Sequence, residues 1–223
     1  MDIGEQGEAA SRGTIGILGA GRVGTAMARL AIAAGYRVKV ATSKPAADNE
    51  LIIEIVTPGA VAVDAGEAAA SDLVVVAIPL HKYRSLDAGA LAGRVVVDAM
   101  NYWAATDGDI ADFEKTHLSS SEVVSAYLVG SRVVKSFNHI GYHEMEPDAA
   151  EQGSPNRRAL AVAGDDEAAK AMVAGFIDTL GFDSVDAGDL AAGKAFEPGT
   201  DIFNGRFNAA ELAQALQHSL ATA

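Results

Sequence analysis

Apolar residues recur along this chain with two different periods. Unbroken runs such as TIGIL at 14–18, YRVKVA at 36–41, LVVVAI at 73–78, RVVVD at 94–98 and RVVKS at 132–136 have the length and β-branched character of strands. A run like LVVVAI, closed by Pro79, predicts a strand covered on both faces, as in a parallel sheet. Residues 60–63, 158–163 and 182–185 add three more strand candidates. Between the runs the spacing changes to three and four. Val23, Ala26, Met27, Leu30, Ala31 and Ala34 share one helical face, and Gly35 ends it. Residues 48–56 read as a helix capped by Asp48 and stopped before Thr57-Pro58, with a strand as the alternative. Ser119-x-x-Glu122 has capping-box spacing ahead of a helix to Leu128, and helices are predicted at 165–180 and 208–220.

The first strand runs directly into Gly19-Ala20-Gly21-Arg22-Val23-Gly24, a GxGxxG pattern followed by a helix and a second strand. In that setting each glycine has a task. Gly19 makes the tight turn, Gly21 lets backbone approach a pyrophosphate, and Gly24 lets the helix pack against the sheet, with the helix N-terminus facing the phosphates. Strands and helices alternate throughout, so the fold class is α/β, a doubly wound Rossmann-type NAD(P)-binding domain. It is expected to span 14–187, after a flexible polar leader at 1–13 and before a loop-rich extension with a helix at 188–223, packed on it.

Sites for NAD carry an acid at the end of the second strand, where it bonds the ribose hydroxyls. Here Thr42-Ser43-Lys44 stands in that place. A carboxylate would repel a 2′-phosphate, whereas two hydroxyls and an ammonium would receive it. NADP(H) is therefore the expected nucleotide. The alternative is an ordinary polar loop.

Composition then removes whole classes of function. A net charge of −13 over 223 residues leaves no basic face for nucleic acid. The absence of cysteine excludes disulfides, thiolate catalysis and iron–sulfur clusters held by the chain's own thiolates. No apolar run approaches the length of a membrane span, and a cytoplasmic protein with no membrane partner is expected.

In a doubly wound sheet the ligand lies outside the carboxyl ends of the strands. After the fourth strand come Ile78, Pro79, Leu80, His81, Lys82 and Tyr83. Ala99, Met100, Asn101, Tyr102 and Trp103 follow the fifth, and Phe137, Asn138, His139 and Tyr142 follow the sixth. Aromatic, amide and imidazole groups of this kind suit a slot for flat rings. No metal is expected: His139-x3-His143 with Glu144 has metal-pair spacing, but Gly141 and a loop setting deny it one helical face. No nucleophile elbow occurs either. A site without an evident nucleophile or acid/base pair fits chemistry carried by a cofactor.

Taken together, LGAGRVG, ATSK, SDLVVVAIP, VVVDAMN, RVVKSFN, ALAVAGDD and the LGF…DAGDL ending resemble the NADP oxidoreductases dependent on the deazaflavin coenzyme F420. They are also similar to the reductase domains of the metalloreductases. The likeness runs from Ile15 to about Leu190. It implies that Ala20 to Val23 and Thr42 to Lys44 hold NADP, with Ile78, Pro79, Met100 and Asn101 along the nicotinamide half. His81, Tyr83, Ala99, Asn138 and Tyr142 complete the expected cofactor wall, and Asn138 and His139 are expected to orient the reacting rings. It also implies a small-molecule hydride acceptor, coenzyme F420 itself, and a homodimer. Two departures stand out. Asn138 occupies the position where the deazaflavin reductases tend to carry histidine, so that Phe137-Asn138 is closer to the metalloreductase version. Lys194 to Arg206 does not match the region associated with dimer contacts and second-ring binding. An NADPH-dependent flavin or ferric reductase, and a non-catalytic NADP sensor, remain as alternatives.

Overall fold

The computed structural model describes residues 12–222. The sequence's polar leader falls almost wholly outside them. A single eight-stranded sheet organises the chain, in the order β3-β2-β1-β4-β5-β6-β7-β8. Its strands are β1 (Thr14–Leu18), β2 (Arg37–Ala41), β3 (Val61–Ala62), β4 (Leu73–Val76), β5 (Val95–Asp98), β6 (Arg132–Lys135), β7 (Ala159–Gly164) and β8 (Asp183–Gly188). The sheet is parallel from β3 through β6, and β8 is parallel to β7. β7 runs antiparallel to β6, an inversion that the apolar pattern does not announce.

Helices cover both faces. They are α1 (Arg22–Ala33), α2 (Glu50–Val56), α3 (Ala65–Ala69), α4 (Ala88–Leu91), the single turns α5 (Ala104–Asp107) and α6 (Ala111–Glu114), α7 (Ser120–Tyr127), α8 (Tyr142–Asp148), α9 (Glu167–Thr179) and α10 (Ala209–Thr222). Residues 48–56 are thus helical, but the helix begins at Glu50. Asp48 instead ends a short 3-10 turn, and Asn49 is the capping position.

Strand alternation splits the core in two. Leu73 and Val75 pack with Met27, Met145 and Phe176 on one face, while Val74 and Val76 pack with Ala68, Leu91 and Val124 on the other. All four β4 residues are buried, as a doubly covered parallel strand requires. A third cluster joins Ala161, Phe196, Ile202, Leu212 and Leu216, tying the segment after β8 and α10 to β7. The capping box expected at α7 is complete: Ser119 Oγ accepts from the Glu122 N–H, and Glu122 accepts from the Ser119 N–H.

The strand order reverses between β1 and β4, and this is the crevice where doubly wound sheets bind ligands. Only β1 to β6 end at that edge, because β7 and β8 run the other way.

Candidate functional site

The glycine turn sits at the crevice. Gly19 has φ +117°, and a Cβ there would lie 2.4 Å from the Ala77 carbonyl oxygen. A Cβ on Gly24 would come within 1.9 Å of the Gly19 carbonyl oxygen, so α1 approaches β1 closely only because that atom is missing. Gly21 is different. Its φ of −77° suits any residue, and an added Cβ would meet nothing within 4 Å. Nothing among the described residues demands glycine there. The space above it is open, and a ligand pressed against the backbone is what a side chain would obstruct.

The same turn begins α1, which has no side-chain cap and no acid in its first turn. By contrast, α7 and α9 are capped by Ser119 and Asp166. The first N–H groups of α1 are therefore available to an anion, at the positive end of the helix.

A cleft of about 610 Å³ extends from this turn. Gly19, Ala20 and Gly21 form one end, and Thr42 and Ser43 after β2 form a second wall. Lys44, the next residue, is exposed. The loop is fixed from within: Thr42 Oγ1 accepts from the Lys44 N–H at 3.0 Å, Asp64 accepts from the Ala46 N–H at 2.9 Å, and Asn49 Nδ2 donates to the Pro45 carbonyl at 2.8 Å. Ser43 Oγ and Lys44 Nζ have no partner among the described residues.

Opposite that loop the cleft is walled by Ile78, Pro79, Lys82, Ser85, Leu86 and Asp87, with Ala65, Ala69, Ala90 and Leu91 behind. Two expectations are corrected here. Tyr83 is buried between Phe113 and Tyr127, and its hydroxyl donates to Asp112 at 2.7 Å. Burial and that carboxylate push its hydroxyl up to a pKa of about 12. His81 leaves the cleft to pair with Asp107 at 2.7 Å. The segment Leu80–Ser85 is a 3-10 helix with three residues per turn. Turning Leu80 and Tyr83 inward brings Lys82, rather than His81, to the cleft wall. Lys82, though read as lying after the fourth strand, is missing from the expected cofactor wall, as are Ser85 and Asp87, because strand-end position alone says nothing about which face of a 3-10 turn is wet.

At the ends of β5 and β6, Asp98 and Lys135 are register partners. Both side chains are fully buried, with 3.5 Å between Lys135 Nζ and Asp98 Oδ2. Together they hold the peptide groups of Met100: Asp98 accepts from its N–H at 2.9 Å, and Lys135 donates to its carbonyl at 2.6 Å. Ser121 supplies a further 2.6 Å bond to Asp98. Ala99 and the Met100 side chain consequently point into the core rather than along a ligand. Asn101, the next residue, is partly exposed.

Phe137 follows β6 with φ +63°, a left-handed backbone that costs a bulky residue about 1–3 kcal/mol. Its ring is buried against Phe176. The twist aims Asn138 at Asn101 and sends His139 inward. His139 Nε2 accepts from the Ala161 N–H at 3.0 Å, so the neutral ring carries its proton on Nδ1, 3.1 Å from Asn138 Oδ1. Burial, reinforced by the charges of Arg158 and Lys135, lowers its pKa to about 3. The orienting role expected of His139 is corrected accordingly: both ring nitrogens are engaged inside the protein, and His139 fixes Asn138 instead of meeting a ligand. Asn138 is itself buried, with Nδ2 on Asn101 Oδ1 at 3.1 Å and on the Phe196 carbonyl at 2.8 Å. Its effect on any ligand passes through Asn101.

Tyr142 stands beside the glycine turn, half exposed, with its hydroxyl accepting from Arg22 Nη1 at 3.2 Å. The Arg22 guanidinium lies 5.3 Å from the Tyr142 ring centroid. Trp103, 45% exposed, meets Phe203 edge to face at 5.4 Å. No cluster of three or more histidine or acidic residues placed to hold a metal ion occurs among the described residues. Among them, too, no helix is long and apolar enough to cross a membrane.

Compared with known proteins, residues 14–102 match the family described as NADP oxidoreductase, coenzyme F420-dependent. No curated protein matches the chain. Among solved structures it is similar to a hypothetical protein from Sinorhizobium meliloti, with 28% identity over 87% of this chain and 95% of that one and a TM-score of 0.76. A candidate F420-dependent NADP-reductase from Arthrobacter sp. FB24 shares 26% identity over 81% of this chain and 87% of that one, with a TM-score of 0.69. The 3-hydroxyisobutyrate dehydrogenase of Mycobacterium tuberculosis, at 18% identity, 82% and 57% coverage and a TM-score of 0.58, shares the fold. The family match and the Arthrobacter neighbour agree with the resemblance read from the motifs and support an NADP-dependent oxidoreductase.

Proposed function

We propose that this chain is an oxidoreductase that moves a hydride between NADP(H) and a deazaflavin of the coenzyme F420 type. The observation that carries the nucleotide part is Gly21, a glycine the protein does not need for its own packing, set over the uncapped start of α1. The open space and the free N–H groups fit a pyrophosphate, and Ser43 and Lys44, without a partner among the described residues, fit a 2′-phosphate. Gly19 to Gly24, Thr42 to Lys44, Ile78 and Pro79 are the residues proposed to hold the nucleotide, with Asn101 at the nicotinamide end.

When bound, the nicotinamide and the deazaflavin supply the hydride chemistry between them. The chain's own contribution is positioning. The Asp98–Lys135 pair fixes the Met100 peptide groups, Asn138 fixes the Asn101 amide, and the apolar walls exclude water. No proton donor is needed at the reacting carbon, and His139, neutral and fully engaged, offers none.

The deazaflavin is proposed on the resemblance and the family match, and the acceptor experiment tests it. Under anaerobic conditions, NADPH with catalytic protein should bleach the visible absorption of oxidised coenzyme F420, while FMN with a ferric chelate reacts much more slowly. Efficient FMN-dependent iron reduction with an inert deazaflavin would favour the second reading, which the Phe137-Asn138 pair supports. Tight NADPH binding without turnover on any acceptor would favour a sensor. A homodimer belongs to the same proposal, and sedimentation equilibrium at about twice the chain mass would bear it out.

A further inference from the structure

The cleft is lined by two charged side chains, Lys82 and Asp87. Asp87 caps α4, accepting from the Ala90 N–H at 3.0 Å. Lys82 has its backbone committed: its N–H donates to the Pro79 carbonyl, and its carbonyl accepts from Ser85 Oγ at 2.7 Å. Its ammonium makes no ion pair or hydrogen bond among the described residues. The chain carries thirty acidic residues to seventeen lysines and arginines. Lys39 pairs with Glu67, Lys135 with Asp98 and Lys170 with Asp186, and Lys194 donates to the His117 carbonyl. The lysines left without a partner among the described residues are Lys44, Lys82 and Lys115; Lys82 lines this cleft, and Lys44 follows Ser43, which lines it too.

The backbone under Lys82 is rigid. Buried Leu80 and Tyr83 anchor the 3-10 turn on either side of it, and the Tyr83–Asp112 bond locks the turn further. Arg84, two residues on, is drawn outward by the same Asp112 at 2.9 Å. Lys82 is thus presented to the cleft from a fixed base on the β4 side of β1, with Ser43 on the β2 side.

We propose that Lys82 is a specificity residue for the nucleotide, holding the 2′-phosphate of the adenosine ribose from the wall opposite Ser43 and Lys44. The inference rests on the reading that the cleft takes NADP(H). A phosphate monoester carries between one and two negative charges at neutral pH. In an acidic protein, with Asp87 on the same wall, one exposed lysine beside Ser43 leaves that charge only partly offset. A second ammonium from the far side completes the clamp and closes the cleft around the ribose. NAD(H), which lacks the phosphate, gains nothing from it.

Calorimetric titration with NADP+, NAD+ and adenosine 2′,5′-bisphosphate tests the assignment in the unmodified protein, Lys82→Met and Lys82→Arg. Lys82 is exposed, so neither substitution threatens the fold. Loss of one charge-assisted hydrogen bond should lower the affinity of Lys82→Met for NADP+ and the bisphosphate roughly ten- to hundredfold. Affinity for NAD+ should stay within about twofold, and Lys82→Arg should retain most of the NADP+ affinity. An equal loss for NAD+ and NADP+ would overturn the proposal by assigning Lys82 to the pyrophosphate. Unchanged NADP+ affinity in Lys82→Met, with the unmodified protein still preferring NADP+, overturns the role of Lys82 alone. An unmodified protein that binds none of the three ligands overturns the NADP(H) reading together with it.

Discussion

Asn101 and Asn138 bond each other in both directions: Asn101 Nδ2 donates to the Asn138 carbonyl at 2.7 Å, and Asn138 Nδ2 donates to Asn101 Oδ1 at 3.1 Å. One amide is partly exposed at the crevice and the other is buried behind it. The outer amide therefore has its orientation set by the inner one.

Replacing Asn138 by alanine orphans the Phe196 carbonyl and the His139 Nδ1–H inside the protein. The expected cost is about 1–3 kcal/mol, or several degrees of melting temperature for a chain of this size. Turnover should fall because Asn101 is no longer held, while NADP+ affinity, measured by calorimetry, changes little. Affinity collapsing in step with turnover would contradict the positioning role.

The glycine turn separates packing from ligand contact. Gly24→Ala places a methyl against the Gly19 carbonyl and should leave little folded protein. Gly21→Ala should fold with a loss under about 1 kcal/mol, yet bind NADP+ at least tenfold more weakly. Circular dichroism melts alongside nucleotide titration distinguish the two. A Gly21→Ala protein with normal nucleotide affinity would remove the pyrophosphate from this turn.

Lys44→Glu puts a carboxylate where NAD sites carry one. Its NADP+ to NAD+ affinity ratio should drop roughly ten- to hundredfold, the worth of one charge-assisted bond. Equal affinities in the unmodified protein would end the NADP assignment.

His139 makes stability depend on pH. It stays neutral in the folded state down to about pH 3, whereas in the unfolded chain it takes a proton near its ordinary pKa of 6.5. Between those values only the unfolded state binds the proton, so stability falls as pH drops from 6.5 toward 3. The full loss is on the order of 5 kcal/mol. Urea unfolding at pH 7 and pH 5 should show a smaller decrease in His139→Gln than in the unmodified protein. Equal decreases would mean the ring is not held neutral.

The glycine loop was legible in the sequence because its spacing is dictated by backbone approach. Gly19 and Gly24 answer to carbonyls in the protein, and their separation cannot drift. The β-branched runs were legible for a similar reason, since burial on both faces leaves no polar position. Sidedness after the strands was not. Phe137 adopts a left-handed backbone, which breaks the alternation that would say whether Asn138 or His139 faces out. The 3-10 turn after Pro79 likewise gives the cleft Lys82 and hides Tyr83. The reversal of β7 was not legible either, because a connection containing α8 can return the chain in either direction.

The bonds from the Asn138 amide to Phe196 and from Ser120 to Glu197, at 2.8 and 2.6 Å, join the middle of the chain to residues made 58 and 77 positions later. During synthesis the glycine loop and the wall carrying Lys82 exist long before Phe196 leaves the ribosome. The crevice edge at Asn101 has to wait for it. A chain cut short before residue 196 keeps every residue that lines the cleft but lacks the carbonyl that anchors the inner amide. The same cut removes Phe196, Ile202, Leu212 and Leu216 from the core cluster that covers Ala161, so the inner amide and the apolar cover of β7 are completed by the same late stretch of chain.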